Sequence, residues 1–393
     1  MAYDFLSDML VLEVSQFGPD ALGGYLADMG ARVIKVEPPV TGDALRYAGA
    51  QSVGDPHGFS YLHLRWNRGK QSLVCDITTP EGAEDFRKLA AKADIVYEGM
   101  RAGVLERYGL GYEALKKINP RIVFCSLSGM GRDGPYAKMA SHGPSFDAFA
   151  GLTAPQGDVI SKYEGAQPAS IGMYAYGLQA AFAVCAGVLR ARRTGEGALI
   201  EVAAAECAAH WLPESLDPLL NADITYERPG FNDADGRMRL WARMENYKCR
   251  DGKVIYLMTL TDKSWKALLK VTGRQDLEAI YKRQPQTGHE DREVQAELIK
   301  IFATRDRADW LVDFARENVA AMPQNTPQDT VNDPHFKARA NVYQVALPSG
   351  QILHLTSTPM RVEGQEFATT LAPLLGEHDD LIRTEFSLGP SQA

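Results

Sequence analysis

The hydrophobic and polar positions along the chain change period repeatedly. Met9 to Val14 is a short apolar run leading to a turn at Gly18 and Pro19, and Leu22 to Met29 then follows a helical period. Arg32 to Val36 reads as a buried strand, because β-branched residues dominate a short run between turn signals. This β-α-β unit is followed by strands at Ser72 to Ile77, Ala93 to Tyr97 and Arg121 to Leu127, and by a helix at Pro80 to Lys92 that a proline opens. Such alternation predicts a mostly parallel sheet with helices on its faces.

Tyr176 to Arg193 is rich in Ala, Leu and Val without proline and is stopped by Arg192-Arg193-Thr194-Gly195, which predicts a long, largely buried helix. The EGALIEV stretch adds a strand, and an Ala-rich helix follows around Glu206. Asn221 to Arg239 is polar and holds Pro229, Gly230 and Gly236, so it reads as a linker. Beyond it come a strand-turn-strand at Tyr247 to Met258 around Asp251-Gly252 and helices from Lys263 to Val319. The expected class is α/β, with a Rossmann-like large domain over 1–220, a smaller α/β domain over 221–325, and a return to the large domain over 326–393.

Composition narrows this picture. With 393 residues, 45% hydrophobic and 23% charged, the chain is too apolar for disorder and too long for one typical core of about 250 residues. The net charge of −8, from 42 basic and 50 acidic residues without long blocks, argues against a nucleic-acid surface. An anionic ligand needs a local basic pocket. Cys75, Cys125, Cys185, Cys207 and Cys249 are scattered without CxxC spacing or a His cluster, which points to reduced thiols, a cytoplasmic setting and no metal. The acidic start MAYDFLSDML is unlike a signal peptide, and no apolar run is read as reaching the roughly 18 residues that span a bilayer.

A set of phrases in order along the chain resembles the family III CoA-transferases, the group of carnitine, formyl and bile-acid CoA-transferases and 2-methylacyl-CoA racemases. They are LADMGARVIKVEPP at Leu26 to Pro39, Gly42-Asp43 with Arg46, NRGKQSL at Asn67 to Leu73, and ADIVYEGMRAGVLERYGLGYEAL at Ala93 to Leu115. NPRIVFCSLSGMGRDGPY at Asn119 to Tyr136, RRTGEGALIEVAAAE at Arg192 to Glu206, NDPHFKAR at Asn332 to Arg339 and APLLGEHDD at Ala372 to Asp380 continue the set. The resemblance implies a large domain built from both chain ends, two chains interlocked as rings in a homodimer or a heterodimer with a homologous subunit, acyl-CoA and a carboxylic acid as substrates, and no further cofactor.

The same phrases supply cations near strand ends. CoA phosphates need Arg or Lys donors. Lys35, Arg46, Arg68, Lys70, Arg101 and Arg107 lie near strand ends or the loops after them; by resemblance Arg107 and Tyr108 sit where family members contact the CoA nucleotide, and Arg46 and Lys70 fall in neighbouring phosphate-side motifs. The alternative reading of these cations is solvated surface charge at helix ends.

One position departs from the family. Its transferases attack the thioester with an aspartate in a Gly-Asp-x-x-x-Gly stretch that opens the long helix, and here that stretch is Gly172-Met173-Tyr174-Ala175-Tyr176-Gly177. A thioether carries no carboxylate with which to form an anhydride. Upstream, Ser141-His142-Gly143 puts His142 where the racemase branch keeps a base, but its partner acid falls on Met173. Asp147, Glu164 and Glu245 are the remaining candidate carboxylates, with Asp147 equally suited to a helix start. Trp211, Trp241, Tyr174 and Tyr176 suit an apolar acyl site or the core. Three functional readings follow: a CoA-transferase using another nucleophile, a nucleophile-lacking subunit beside an active homologue, or an acyl-CoA enzyme doing α-proton chemistry with His142 as base, with a non-enzymatic acyl-CoA-binding role as the residual one.

Overall fold

A computed structural model describes residues 2–49, 52–54, 59–101, 103–152, 170–226, 242–282, 292–339 and 342–391. The chain forms two compact units, Met1–Leu220 with Ala340–Ala393, and Asn221–Arg339. The second unit runs past residue 325, because Asp329 pairs with Lys253 at 3.2 Å and lies 3.8 Å from Arg307 within that unit.

The larger unit is organised by six parallel strands. They are β1 Leu10–Val14, β2 Arg32–Glu37, β3 Gln71–Val74, β4 Ile95–Glu98, β5 Val123–Ser128 and β6 Ala198–Ala203, in the spatial order 3-2-1-4-5-6. Alternate residues of the inner strands face opposite layers. Val11, Val33, Ile95 and Val123 pack with helices α1 (Asp20–Asp28), α2 (Ile171–Thr194) and α3 (Ala204–His210). Leu12, Ile34, Val96 and Phe124 pack on the other side with Phe86 and Leu89 of Pro80–Ala90 and with Leu115. A parallel sheet buried on both faces needs such apolar runs, which is why the strands were legible.

Helix α2 begins at Ile171, five positions before the expected Tyr176, with Ser170 as N-cap accepting from Met173 N at 3.2 Å. Its Gly172 closes against Ala204 O, where a Cβ would come 2.9 Å away. The chain end returns to cover the sheet edge: Asp379 accepts from Val74 N at 2.8 Å and Arg383 donates to Val74 O at 2.6 Å.

The second unit has three antiparallel strands, Met244–Lys248, Val254–Met258 and Ala321–Gln324, with the middle one paired to both others. Its core is aromatic, with Tyr247 stacked on Phe302 at 4.8 Å and Trp310 on Phe314 at 5.6 Å. Most of the polar stretch expected as a linker, residues 227–239, lies outside the described residues, as do Glu164 and Trp241.

Candidate functional site

Strand order reverses at β1, between β2 and β4, and an open α/β sheet leaves a crevice beyond the carboxyl ends of the strands at that point. A cavity of about 710 Å³ lies there, walled by Gln16–Pro19 after β1, Gly99–Arg101 after β4, and Leu127–Met130 at the end of β5. Backbone forms much of its floor. Gly99 admits no side chain, since a Cβ there would stand 2.4 Å from the Pro19 ring and 2.9 Å from Ser15 Cβ. That contact brings the turn after β1 against the turn after β4.

Met173, in the first turn of α2, lines this cavity, as do His142 and Arg107. The His142 ring is exposed and stands 6.1 Å from the ring of Phe17, itself held at φ +63° in the left-handed region. Arg107 closes the short helix Val104–Arg107, and Arg101 precedes it. Both side chains are exposed, and neither guanidinium has a carboxylate partner among the described residues. They are the cations that this wall offers to an anion.

The other expected cations are corrected by their environment. Lys35 is fully buried, 2.7 Å from Glu13 Oε1 and 2.9 Å from both Asp20 and Asp43. Lys70 is buried as well, at 2.6 Å from Glu13 Oε2, and also donates to Asp20 O and Asn67 Oδ1. Arg46 grips Glu37 with Nε and Nη2 and donates Nη1 to Pro373 O, and Arg68 grips Asp28. Each is buried against internal carboxylates, and none of the four lines the cavity. Tyr108 is absent from the cavity wall and packs instead against the second core layer.

Asp147 is corrected too. Its Oδ1 accepts from Gly172 N at 2.8 Å and the residue is 4% exposed, so the carboxylate caps the start of α2 and is not on the cavity wall. Glu245 belongs to the second unit, on strand Met244–Lys248, where Oε1 accepts from Asn246 N. Tyr176 lines the cavity, Tyr174 packs on Trp66 at 5.9 Å, and Trp211 is 55% exposed at the end of α3.

The buried cluster beneath the turn after β1 holds three carboxylates against two lysines. Burial first, and then the nearby Asp20 charge, push Asp43 up to about 7 against the pull of Lys35. Burial also acts to raise Asp20, yet Lys35 and the hydrogen bond with Asp43 carry it well below the usual carboxylate range. The proton of this pair therefore sits on Asp43. Glu98, at the end of β4, is pushed up to about 7 by burial and by Glu106, with Ser126 Oγ donating to it at 3.0 Å. Sequence reasoning missed the Gln16–Phe17 turn and the Gly99 contact, since spacing along the chain carries no signal for either.

Known proteins extend the same pattern over the whole chain. The succinate–glutarate CoA-transferase of Agrobacterium fabrum is 29% identical over 401 residues, covering 97% of this chain and 95% of that one. The alpha and beta subunits of a succinyl-CoA–L-malate CoA-transferase of Chloroflexus aurantiacus are each 28% identical, covering 94% and 92% of this chain and 86% and 88% of their own. The crystal structure of a CAIB/BAIF family protein from Brucella suis aligns with a TM-score of 0.77 at 28% identity, covering 97% of this chain and 99% of that one. With the profile of CoA-transferase family III matching residues 6–379, the chain belongs to that family.

Proposed function

We propose that the cavity at the switch point binds acyl-CoA, with Arg101 and Arg107 meeting the phosphates, and that the chain serves CoA transfer between carboxylic acids as the nucleophile-lacking member of a pair. The observation that carries this is Met173 on the cavity wall at the first turn of α2, where the described residues supply no carboxylate. In the family reaction a carboxylate attacks the thioester carbonyl and the thiolate leaves, giving a mixed anhydride. The thiolate then attacks the enzyme acyl carbon and releases the acid. A thioether at this position does neither step. A homologous partner with an intact carboxylate would supply both.

An interlocked pair has support in α2. The helix is long and apolar enough in composition to cross a membrane, yet one face packs on the sheet as a core helix does. Its other face leaves Leu178, Phe182 and Leu189 exposed, at 49%, 78% and 69%. Such a stripe on a helix already buried along its opposite side fits a subunit interface. The alpha and beta subunits of the L-malate transferase offer a precedent for two homologous chains in one enzyme.

A second reading takes His142 as the base of α-proton chemistry, since it lines the same cavity as Met173. Solvent deuterium at the α-carbon of a recovered acyl-CoA tests it.

Calorimetric titration with CoA tests the primary reading. Arg107→Ala should weaken CoA binding by about 1.5–3 kcal/mol, the range for a hydrogen bond to a charged group. An unchanged affinity removes Arg107 from the site. Intact-mass measurement with acyl-CoA should show no adduct on this chain alone, and an adduct on it sinks the nucleophile-lacking assignment.

A further inference from the structure

Arg101 and Arg107 line the cavity from the segment that follows β4. The rest of the lining is mainly apolar: Leu127, Met130, Met139, Phe146 and Met173, with Met100 completing a set of four methionines, beside the uncharged polar side chains of Gln16, Ser128 and Ser141. Among the described residues, His142 and the phenol of Tyr176 are the ionisable groups of the lining besides the two arginines. Arg132, the cation nearest in sequence to Met130, is held by Glu106 at 2.6 Å and lies 3.5 Å from Glu98. It is committed within the protein.

Resting on the acyl-CoA reading of this cavity, we infer that its acyl portion is a monocarboxylic group with an apolar chain, without a second carboxylate. A distal carboxylate beside these side chains would lose its hydration against thioethers and hydrocarbon, with no guanidinium or ammonium to meet it once the phosphates hold Arg101 and Arg107. An alkyl or branched chain loses only unfavourable contact with water there. Unbranched methionines also adapt to chains of different shape, so the walls favour a class of apolar acyl groups over one compound. In this the chain departs from relatives named for succinate, glutarate and malate.

The test is titration of the full-length protein with CoA, butanoyl-CoA, hexanoyl-CoA and succinyl-CoA under one buffer condition. Each buried methylene should tighten binding about fourfold, so hexanoyl-CoA should exceed butanoyl-CoA by about tenfold or more. Succinyl-CoA, which has the chain length of butanoyl-CoA and a carboxylate at its end, should bind roughly tenfold weaker than butanoyl-CoA. If CoA itself fails to bind, the site reading falls. If CoA binds and succinyl-CoA equals or exceeds butanoyl-CoA, the apolar inference alone falls. Met139→Arg, at a wall position that is 57% exposed and so tolerant of change, should shift the succinyl-to-butanoyl ratio by roughly tenfold toward succinyl-CoA. An unchanged ratio overturns the placement of the acyl group on this wall.

Discussion

The side chain of Met173 occupies the space where any side chain on Gly18 would have to stand: a Cβ built on Gly18 comes 2.7 Å from Met173 Cγ and 3.3 Å from its Sδ. The same Cβ would lie 2.9 Å from the Tyr176 hydroxyl. The turn after β1 and the first turn of α2 are thus fitted to one another through a glycine and a methionine.

Gly18→Ala should therefore destabilise the fold by about 1–3 kcal/mol, the usual cost of overpacking. Adding Met173→Ala should recover part of that loss, because the two side chains compete for one space. Guanidinium unfolding of the single and double variants checks this. Strictly additive effects would show that the two positions do not share a contact.

This relationship marks where the sequence ceased to be legible. The strands could be read because a parallel sheet covered on both faces needs short β-branched runs, and RVIKV at Arg32–Val36 is one. The cavity floor could not, since it depends on the turn after β1 meeting the turn after β4 at Gly99 and meeting α2 at Gly18. Lys35 was misread for a related reason. A lysine is ordinarily exposed, and its three carboxylate partners come from Glu13, Asp20 and Asp43 on separate segments. The position of Met173 was legible only through the spacing of glycines at 172 and 177.

Lys35→Met should cost about 3–5 kcal/mol, because it leaves Glu13, Asp20 and Asp43 buried against Lys70 alone. Lys35→Arg should rescue little, since a planar fork does not fit a point charge shared among three carboxylates. A lowered unfolding midpoint in both variants is expected. A Met variant as stable as the parent would mean the cluster contributes nothing net.

Asp43 sets a pH dependence with a definite sign. Its folded pKa, pushed up to about 7 by burial and by Asp20, lies above the ordinary carboxylate value of about 3.9 in an unfolded chain. The native state then binds the extra proton, so this contribution to stability is full below about pH 4 and is lost as the pH rises through about 7. An asparagine side chain in this place would imitate the protonated form and keep the cap on Leu45, whose N–H Asp43 Oδ1 now accepts at 2.8 Å. Asp43→Asn should accordingly gain in stability relative to the parent as the pH rises from about 4 through about 7. A constant difference across that range would show that Asp43 does not titrate there.

Met173→Asp is the variant that most directly joins one side chain to a reaction class. The introduced carboxylate would stand on the wall of the switch-point cavity, in the first turn of a 24-residue helix whose N-terminus favours an anion. Part of that terminus is already satisfied, since Asp147 accepts from Gly172 N and Ser170 Oγ from Met173 N. The new group would therefore be held by the helix dipole and free to meet a thioester carbonyl. Incubation with butanoyl-CoA followed by intact-mass measurement should reveal an enzyme-bound CoA thioester in the variant and none in the parent. Hydroxylamine should release CoA and leave a hydroxamate on the protein, which distinguishes a thioester or anhydride from tight non-covalent binding. Asp147→Asn in the same background should leave the adduct in place, because residue 147 caps the helix and is not on the cavity wall. If the parent forms the adduct unaided, the nucleophile lies elsewhere in this chain and Met173 does not mark a delegated reaction.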